Sequence, residues 1–220
     1  TAVFPDDRTV VLDRTAFYAG GGGQPCDFGS LTMAGVVYVV DKVKKQGDDV
    51  LHFLGGTSPL PSVGSASHGT LDWVRRHKLM RTHTALHVLC GTVFRDYGAQ
   101  VTGGDMEPLK GRMDFEFATM HGDLVREIEL GVNKEVAEAR DIRVKILPRE
   151  EAFQIPDLIR TKINLLPEGI PQVRTVEIVG LDLQADGGTH VRNTNEVGKV
   201  RVVDYKSKGA INKRIYIEIE

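Results

Sequence analysis

Cysteine is nearly missing from this chain. Cys26 and Cys90 are the only two in 220 residues, far too few for a disulfide framework. No apolar run approaches the length of a membrane span, and nothing at the start has the form of a secretory signal, which makes the cytoplasm the expected location. Neither sign of charge dominates: 28 Lys and Arg against 30 Asp and Glu leave a formal net charge of −2. That balance argues against a broadly basic nucleic-acid binder, although a few clustered cations are enough for phosphate contacts. Internal repeats and low-complexity tracts are also lacking. What is present is a 41% hydrophobic, 26% charged chain, ordinary for a globular protein and long enough for one large domain or two small ones.

The two ends of the sequence follow different patterns. Up to residue 72, "TVVLD" (9–13), "GSLTMAGVVYVVDKVKK" (29–45) and "DDVLHFLG" (48–55) are rich in β-branched residues and separated by turn signals. Short strands so spaced predict a small β-barrel over 1–72. From residue 73 the period changes: "WVRRHKLMRTHTALHVLCGTVFRDYG" predicts a helix ending at Gly98, and "GDLVREIELGVNKEVAEAR" a second amphipathic helix. Strands are expected at "GRMDFEF", "IRVKILP", "QVRTVEIVG", "KVRVVDY" and "KRIYIEIE". The fold class is therefore α+β, with the barrel followed by a helix-on-antiparallel-sheet domain over 73–220.

Four residues carry the most chemistry. Met80, His83, His87, Cys90 and Phe94 follow steps of three and four and share one helix face. Two histidines there are either core residues satisfied by hydrogen bonds or a pair of metal ligands. Unpaired imidazoles in a core would cost a few kcal/mol each, whereas a divalent ion ties both together. About a hundred residues later, "ADGGTH" presents Asp186 and His190 across a flexible turn. Alone it reads as a strand connection; together the four make a His–His–Asp–His set suited to Zn²⁺. Cys90 is a rival fourth donor, or a small core residue.

Two further stretches admit two readings each. The four glycines of "TAFYAGGGGQPCDFG" lack a following GK[ST] and a helix start, which weakens a phosphate-loop reading. They form either a plain hairpin or a loop needing close backbone approach. "KVRVVDYKSKGAINKRIY" gathers Lys199, Arg201, Lys206, Lys208, Lys213 and Arg214 around an expected hairpin, either a solvated surface or a phosphate contact.

In this order and spacing, "TAFYAGGGGQPCDFG", "RTHTALHVL", "GRMDFEF" and "DLQADGGTHVRNTNEVG" resemble the editing domain of alanyl-tRNA synthetases, and more closely the freestanding AlaX-type trans-editing proteins. The resemblance covers nearly the whole chain, and the ending "KSKGAINKRIYIEI" looks like the mid-sized form. Such proteins usually begin with another strand before the equivalent of "TVVLD"; with Thr1 first and no methionine, a truncated N-terminus is expected. The family implies a hydrolase that removes serine, and in some forms glycine, from mischarged tRNA(Ala), with one Zn²⁺ per chain. Its HxxxH and CxxxH motif places His83, His87 and His190 on histidine positions, and Asp186 where synthetases usually carry cysteine. Aspartate is a harder ligand than thiolate, so the metal is expected to be held less tightly and to stay more Lewis acidic. Alternatively, Asp186 turns away and serves a water as general base. Thr102, in "AQVTGGD", matches a family threonine that faces the noncognate side chain. Gly20, Gly21, Gly22, Gly23 and Gln24 are expected to line the substrate pocket, and Lys206, Lys208, Lys213 and Arg214 to meet the acceptor stem. Rival readings of the same donors are a metal-dependent hydrolase of a small molecule, a tRNA-binding module without turnover, and the same chemistry on another mischarged tRNA.

Overall fold

The computed structural model describes residues 2–161, 166 and 169–220. The chain divides into two compact units, Thr1–Lys78 and Leu79–Glu220. The first holds β1 (Ala2–Phe4), β2 (Thr9–Val11), β3 (Gly29–Met33), β4 (Val36–Gln46), β5 (Asp49–Leu54) and β6 (Ser67–Leu71) in one antiparallel sheet, ordered β1-β2-β5-β4-β3-β6. The 29–45 run proves to be two strands. Ala34 and Gly35 take φ of 48° and 77° and form the two-residue turn between Met33 and Val36, the conformation that matches hairpin twist. A bulge between Val40 and Lys42 bends β4, so its first half pairs with β3 and its second with β5. Its inward residues Tyr38, Val40 and Val43 close a core with Val10, Phe17, Leu31, Met33 and Leu54. A closed barrel is not found: among the described residues no ladder joins β1 to β6.

The second unit is α+β with two antiparallel sheets where one was expected. One is β12 (Val200–Ser207), β13 (Asn212–Ile219), β8 (Lys110–Glu116) and β7 (Val101–Glu107), in that order; the other is β11 (Asp182–Ala185), β10 (Gln172–Ile178) and β9 (Ile142–Pro148). Its helices are α1 (Trp73–Tyr97), which carries the division between units near its start, α2 (Gly122–Ala137) and the short α3 (Arg149–Ala152). From Thr82 to Val93 α1 is buried without interruption, so it runs through the middle of the core rather than along a surface. Leu86, Leu89 and Val93 meet Phe115, Ile215, Ile217, Ile128 and Val132 there. Gly98 ends the helix at φ +65°, its N–H bonding Phe94 O at 2.9 Å, a left-handed cap that favours glycine. No helix among the described residues is long and apolar enough to cross a membrane.

Near the end of α2, the buried Glu135 receives hydrogen bonds from Arg95 and, at 2.7 Å, from Arg140. Burial alone would raise its carboxyl; the two guanidinium groups outweigh that and hold it below its ordinary 4.5. A depressed carboxyl stabilises the fold above the unfolded value and loses that contribution as pH falls through the folded one. Glu135→Gln is expected to cost about 1–2 kcal/mol at pH 7, discounted because both arginines are partly solvated. Urea melts should show the gap to wild type closing below pH 4.5; a gap constant down to pH 3 would sink this account.

Candidate metal centre

The i, i+4 spacing sets His83 and His87 side by side on α1, with ring centroids 5.0 Å apart. His190 reaches them from the segment after β11, stacked on His83 at 4.3 Å and edge-on to His87 at 4.7 Å. Asp186 directly follows β11, and its N–H bonds Arg174 O at 3.1 Å. Its carboxylate points inward: Oδ1 is 3.5 Å from His83 Nε2 and Oδ2 is 3.0 Å from His190 Nε2. Gly188 N–H donates to Oδ2 at 2.8 Å, and Arg174 Nη1 donates to the Asp186 carbonyl at 2.8 Å. Ligand atoms of His83, His87, Asp186 and His190 all lie within 4.8 Å of one another. A tetrahedral ion with bonds of 2.0–2.1 Å wants its donors about 3.3 Å apart, so the side chains would have to draw in around it.

The outward nitrogens have partners of their own. His87 Nδ1 lies 3.1 Å from Asp182 Oδ2, and His190 Nδ1 lies 3.1 Å from Thr84 Oγ1. That leaves the Nε2 atoms for the centre. Burial pushes His83 well below the ordinary histidine value and His190 down to about 4. His87 goes the other way: burial lowers it, but the Asp182 hydrogen bond and the Asp186 charge prevail. Asp186, against the opposing effect of burial, is held well below the usual carboxylate range by its bond to His190 and by the other two histidines. A divalent cation requires neutral imidazoles beside an ionised carboxylate. His83, His190 and Asp186 are shifted toward those states, while His87 would have to release the proton that its upward shift favours. The group can hold a metal ion.

The other expected site residues have these surroundings. Cys90 is buried one turn past His87, with its thiol pushed up by burial and its Sγ accepting from Gln184 Nε2 at 3.3 Å; it is outside the donor group. Thr102 is not brought to the centre. It sits exposed at a bulge in β7, its hydroxyl donating to Asn212 Oδ1 at 2.9 Å. Gly20, Gly21, Gly22 and Gly23 all take positive φ, and Gly21 and Gln24 exchange backbone hydrogen bonds of 3.0 and 2.9 Å. This tight turn belongs to the N-terminal unit, and Gln24 is buried within it. In the β12–β13 hairpin, Lys206 pairs with Asp204 at 3.0 Å and Arg214 grips Asp114 with bonds of 2.6 and 2.7 Å. Lys213 is buried, its ammonium donating to the turn carbonyls of Gly209 and Ala210. Lys208 has no carboxylate partner among the described residues.

Asp182, Gln184 and Arg174 were not anticipated. A signal for two of them existed: in "DLQAD", polar residues 182, 184 and 186 alternate with Leu183 and Ala185. Such a period of two places all three polar side chains on one sheet face.

Comparisons with known proteins find relatives for both units. Residues 173–216 match the family described as "Threonyl and Alanyl tRNA synthetase second additional domain", and residues 4–75 match "tRNA synthetases class II (A)". The alanyl-tRNA editing protein AlaX-M of Saccharolobus solfataricus is 37% identical over 213 residues, covering 96% of this chain and 89% of that protein. The AlaX-M of Methanosarcina acetivorans is 36% identical over 220 residues, 97% of this chain and 90% of its own length. The alanine–tRNA ligase of Ignicoccus hospitalis is 39% identical over 203 residues, 88% of this chain but 21% of the ligase. With both units matched and the relatives spanned nearly end to end, this chain belongs to the AlaX-M family of alanyl-tRNA editing proteins.

Proposed function

We propose that the protein is a cytoplasmic trans-editing hydrolase that removes serine, and also glycine, from mischarged tRNA(Ala) while sparing alanyl-tRNA(Ala). The observation that carries this reading is the convergence of His83, His87, Asp186 and His190 in a chain of this family. Water adds to the ester carbonyl, the bond to the ribose oxygen breaks, and a proton passes to that oxygen. His83, His87, Asp186 and His190 would hold one Zn²⁺ per chain. With all four bound it would supply a fixed positive charge beside the ester, and it would act as a Lewis acid only where its coordination expands or one donor yields. Asp186 suits the ligand role better than that of general base, because its carboxylate points inward at His83 Nε2 and His190 Nε2. Its second oxygen stays anchored by Gly188 N–H.

An alanine pocket rejects serine by only about 10²-fold, since the rival merely adds a hydroxyl; a site that hydrogen-bonds the hydroxyl reaches about 10⁴–10⁵ against a substrate lacking it. Thr102 is the proposed reader, on the motif alone; the serine hydroxyl would have to displace Asn212 Oδ1. Gly21, Gly22, Gly23 and Gln24 are proposed to border the substrate. Lys208 is the cation readiest for the acceptor stem, with Lys206 and Arg214 joining by exchanging carboxylate for phosphate; Lys213 serves the hairpin turn.

Incubation with seryl-, glycyl- and alanyl-tRNA(Ala), with and without chelator, tests this reading. Loss of the seryl ester, alanyl-tRNA spared, arrest by chelator and recovery with Zn²⁺ are expected. Decay of all three esters at the buffer rate would overturn it. In the same assay Thr102→Val should erase the preference for seryl over alanyl ester; an unchanged preference removes Thr102 from the site.

A further inference from the structure

We propose that Asp182 is a positioning residue for the metal centre, fixing the His87 ring with Nδ1–H directed outward and Nε2 free for the ion. The inference rests on the reading of the four donors as a zinc site. The Asp182 side chain is 0% exposed. Its Oδ2 accepts from His87 Nδ1 at 3.1 Å and from Gln184 Nε2 at 2.7 Å. Behind it, Arg160 Nε stands 3.4 Å from Oδ1, and that guanidinium lies over the Phe94 ring at 3.8 Å. The carboxylate thus touches one ligand histidine on one side and a counter-charge on the other.

Two features set it apart from a residue retained for packing. Among the described residues neither Oδ1 nor Arg160 Nε facing it has a hydrogen-bond partner, so a buried ion pair without hydrogen-bond geometry is costly as a purely structural device. The helix has also made room for it: a Cβ on Gly91 would lie 2.9 Å from Asp182 Cβ and 3.0 Å from Leu181 Cγ. Only glycine one turn beyond His87 lets β11 approach closely enough for the carboxylate to reach the ring. An imidazole without that acceptor has two tautomers and two ring orientations to choose from, and one combination presents an N–H to the ion. A carboxylate behind a ligand histidine removes the choice and raises ligand basicity.

Asp182→Asn and Asp182→Ala test this through zinc affinity, by competition against a chromophoric chelator, and through long-range ¹H–¹⁵N spectra that report each histidine's tautomer. Affinity is expected to fall about 10- to 100-fold in both variants, with the Nδ1–H signature of one histidine lost. Asp182→Asn keeps the shape, so it decides the matter if the alanine variant does not fold. Affinity within twofold of wild type and an unchanged tautomer pattern would overturn the proposal. Wild-type protein that takes up no zinc would instead overturn the metal reading, while the tautomer spectra of the metal-free protein would still judge Asp182.

Discussion

Replacing His83 with alanine is expected to weaken zinc binding by about 10²- to 10³-fold. A four-ligand zinc site is worth roughly 10–16 kcal/mol, or about 2.5–4 kcal/mol per ligand if shared evenly, and each 1.4 kcal/mol is tenfold. His83 sits between its partners, with His190 stacked on it at 4.3 Å and Asp186 Oδ1 at 3.5 Å. Its loss opens a hole that neither neighbour can close, since the outward nitrogens of His87 and His190 are tied to Asp182 and Thr84. Deacylation of seryl-tRNA at limiting zinc should fall in parallel and recover in part at high zinc. Circular dichroism of the metal-free variant checks that it still folds, since the deletion removes a buried ring that contacts Asp186 and His190 and leaves a cavity. Stoichiometric zinc and full activity in this variant would remove His83 from the centre.

Asp186→Cys should act in the opposite direction, tightening zinc binding on the order of 10²-fold, because a thiolate is a softer and stronger donor to this ion than a carboxylate. Competition titration reads the affinity directly. The carboxylate already faces the three histidines from its place after β11, so the sulfur would enter the same space. Deacylation per bound zinc is expected to drop, since a thiolate neutralises more of the ion's charge and leaves it a weaker Lewis acid. Affinity equal to or below that of wild type would mean that residue 186 does not bind the metal.

How much of this was legible in advance depended on how local the cause was. The limits of α1 were readable because a helix is decided by neighbours three and four apart and its end by Gly98, one residue with positive φ. β7 was not readable: "VTGGDME" carries two glycines and two acids, poor strand formers, and becomes a strand only by pairing with β8. The six cations of the C-terminal hairpin were equally visible, but not their engagement. Arg214 is paired with Asp114, a hundred residues earlier in the chain, and Lys213 is spent on its own turn.

By itself, then, the sequence determined the donor inventory and the placing of His83 and His87 on one helix face. It also determined the order of motifs that marks the family. That Asp186 and His190 join that pair was already legible in the motifs and is what the structure shows. Tertiary structure alone decided that the carboxylate turns inward, that Cys90 stays outside, and that Asp182 stands behind His87. The reason is physical. Spacing of four along a helix is a property of the backbone, fixed by 3.6 residues per turn. Contact between residues a hundred positions apart depends on sheet register, on burial, and on a Gly91 small enough to let β11 come close.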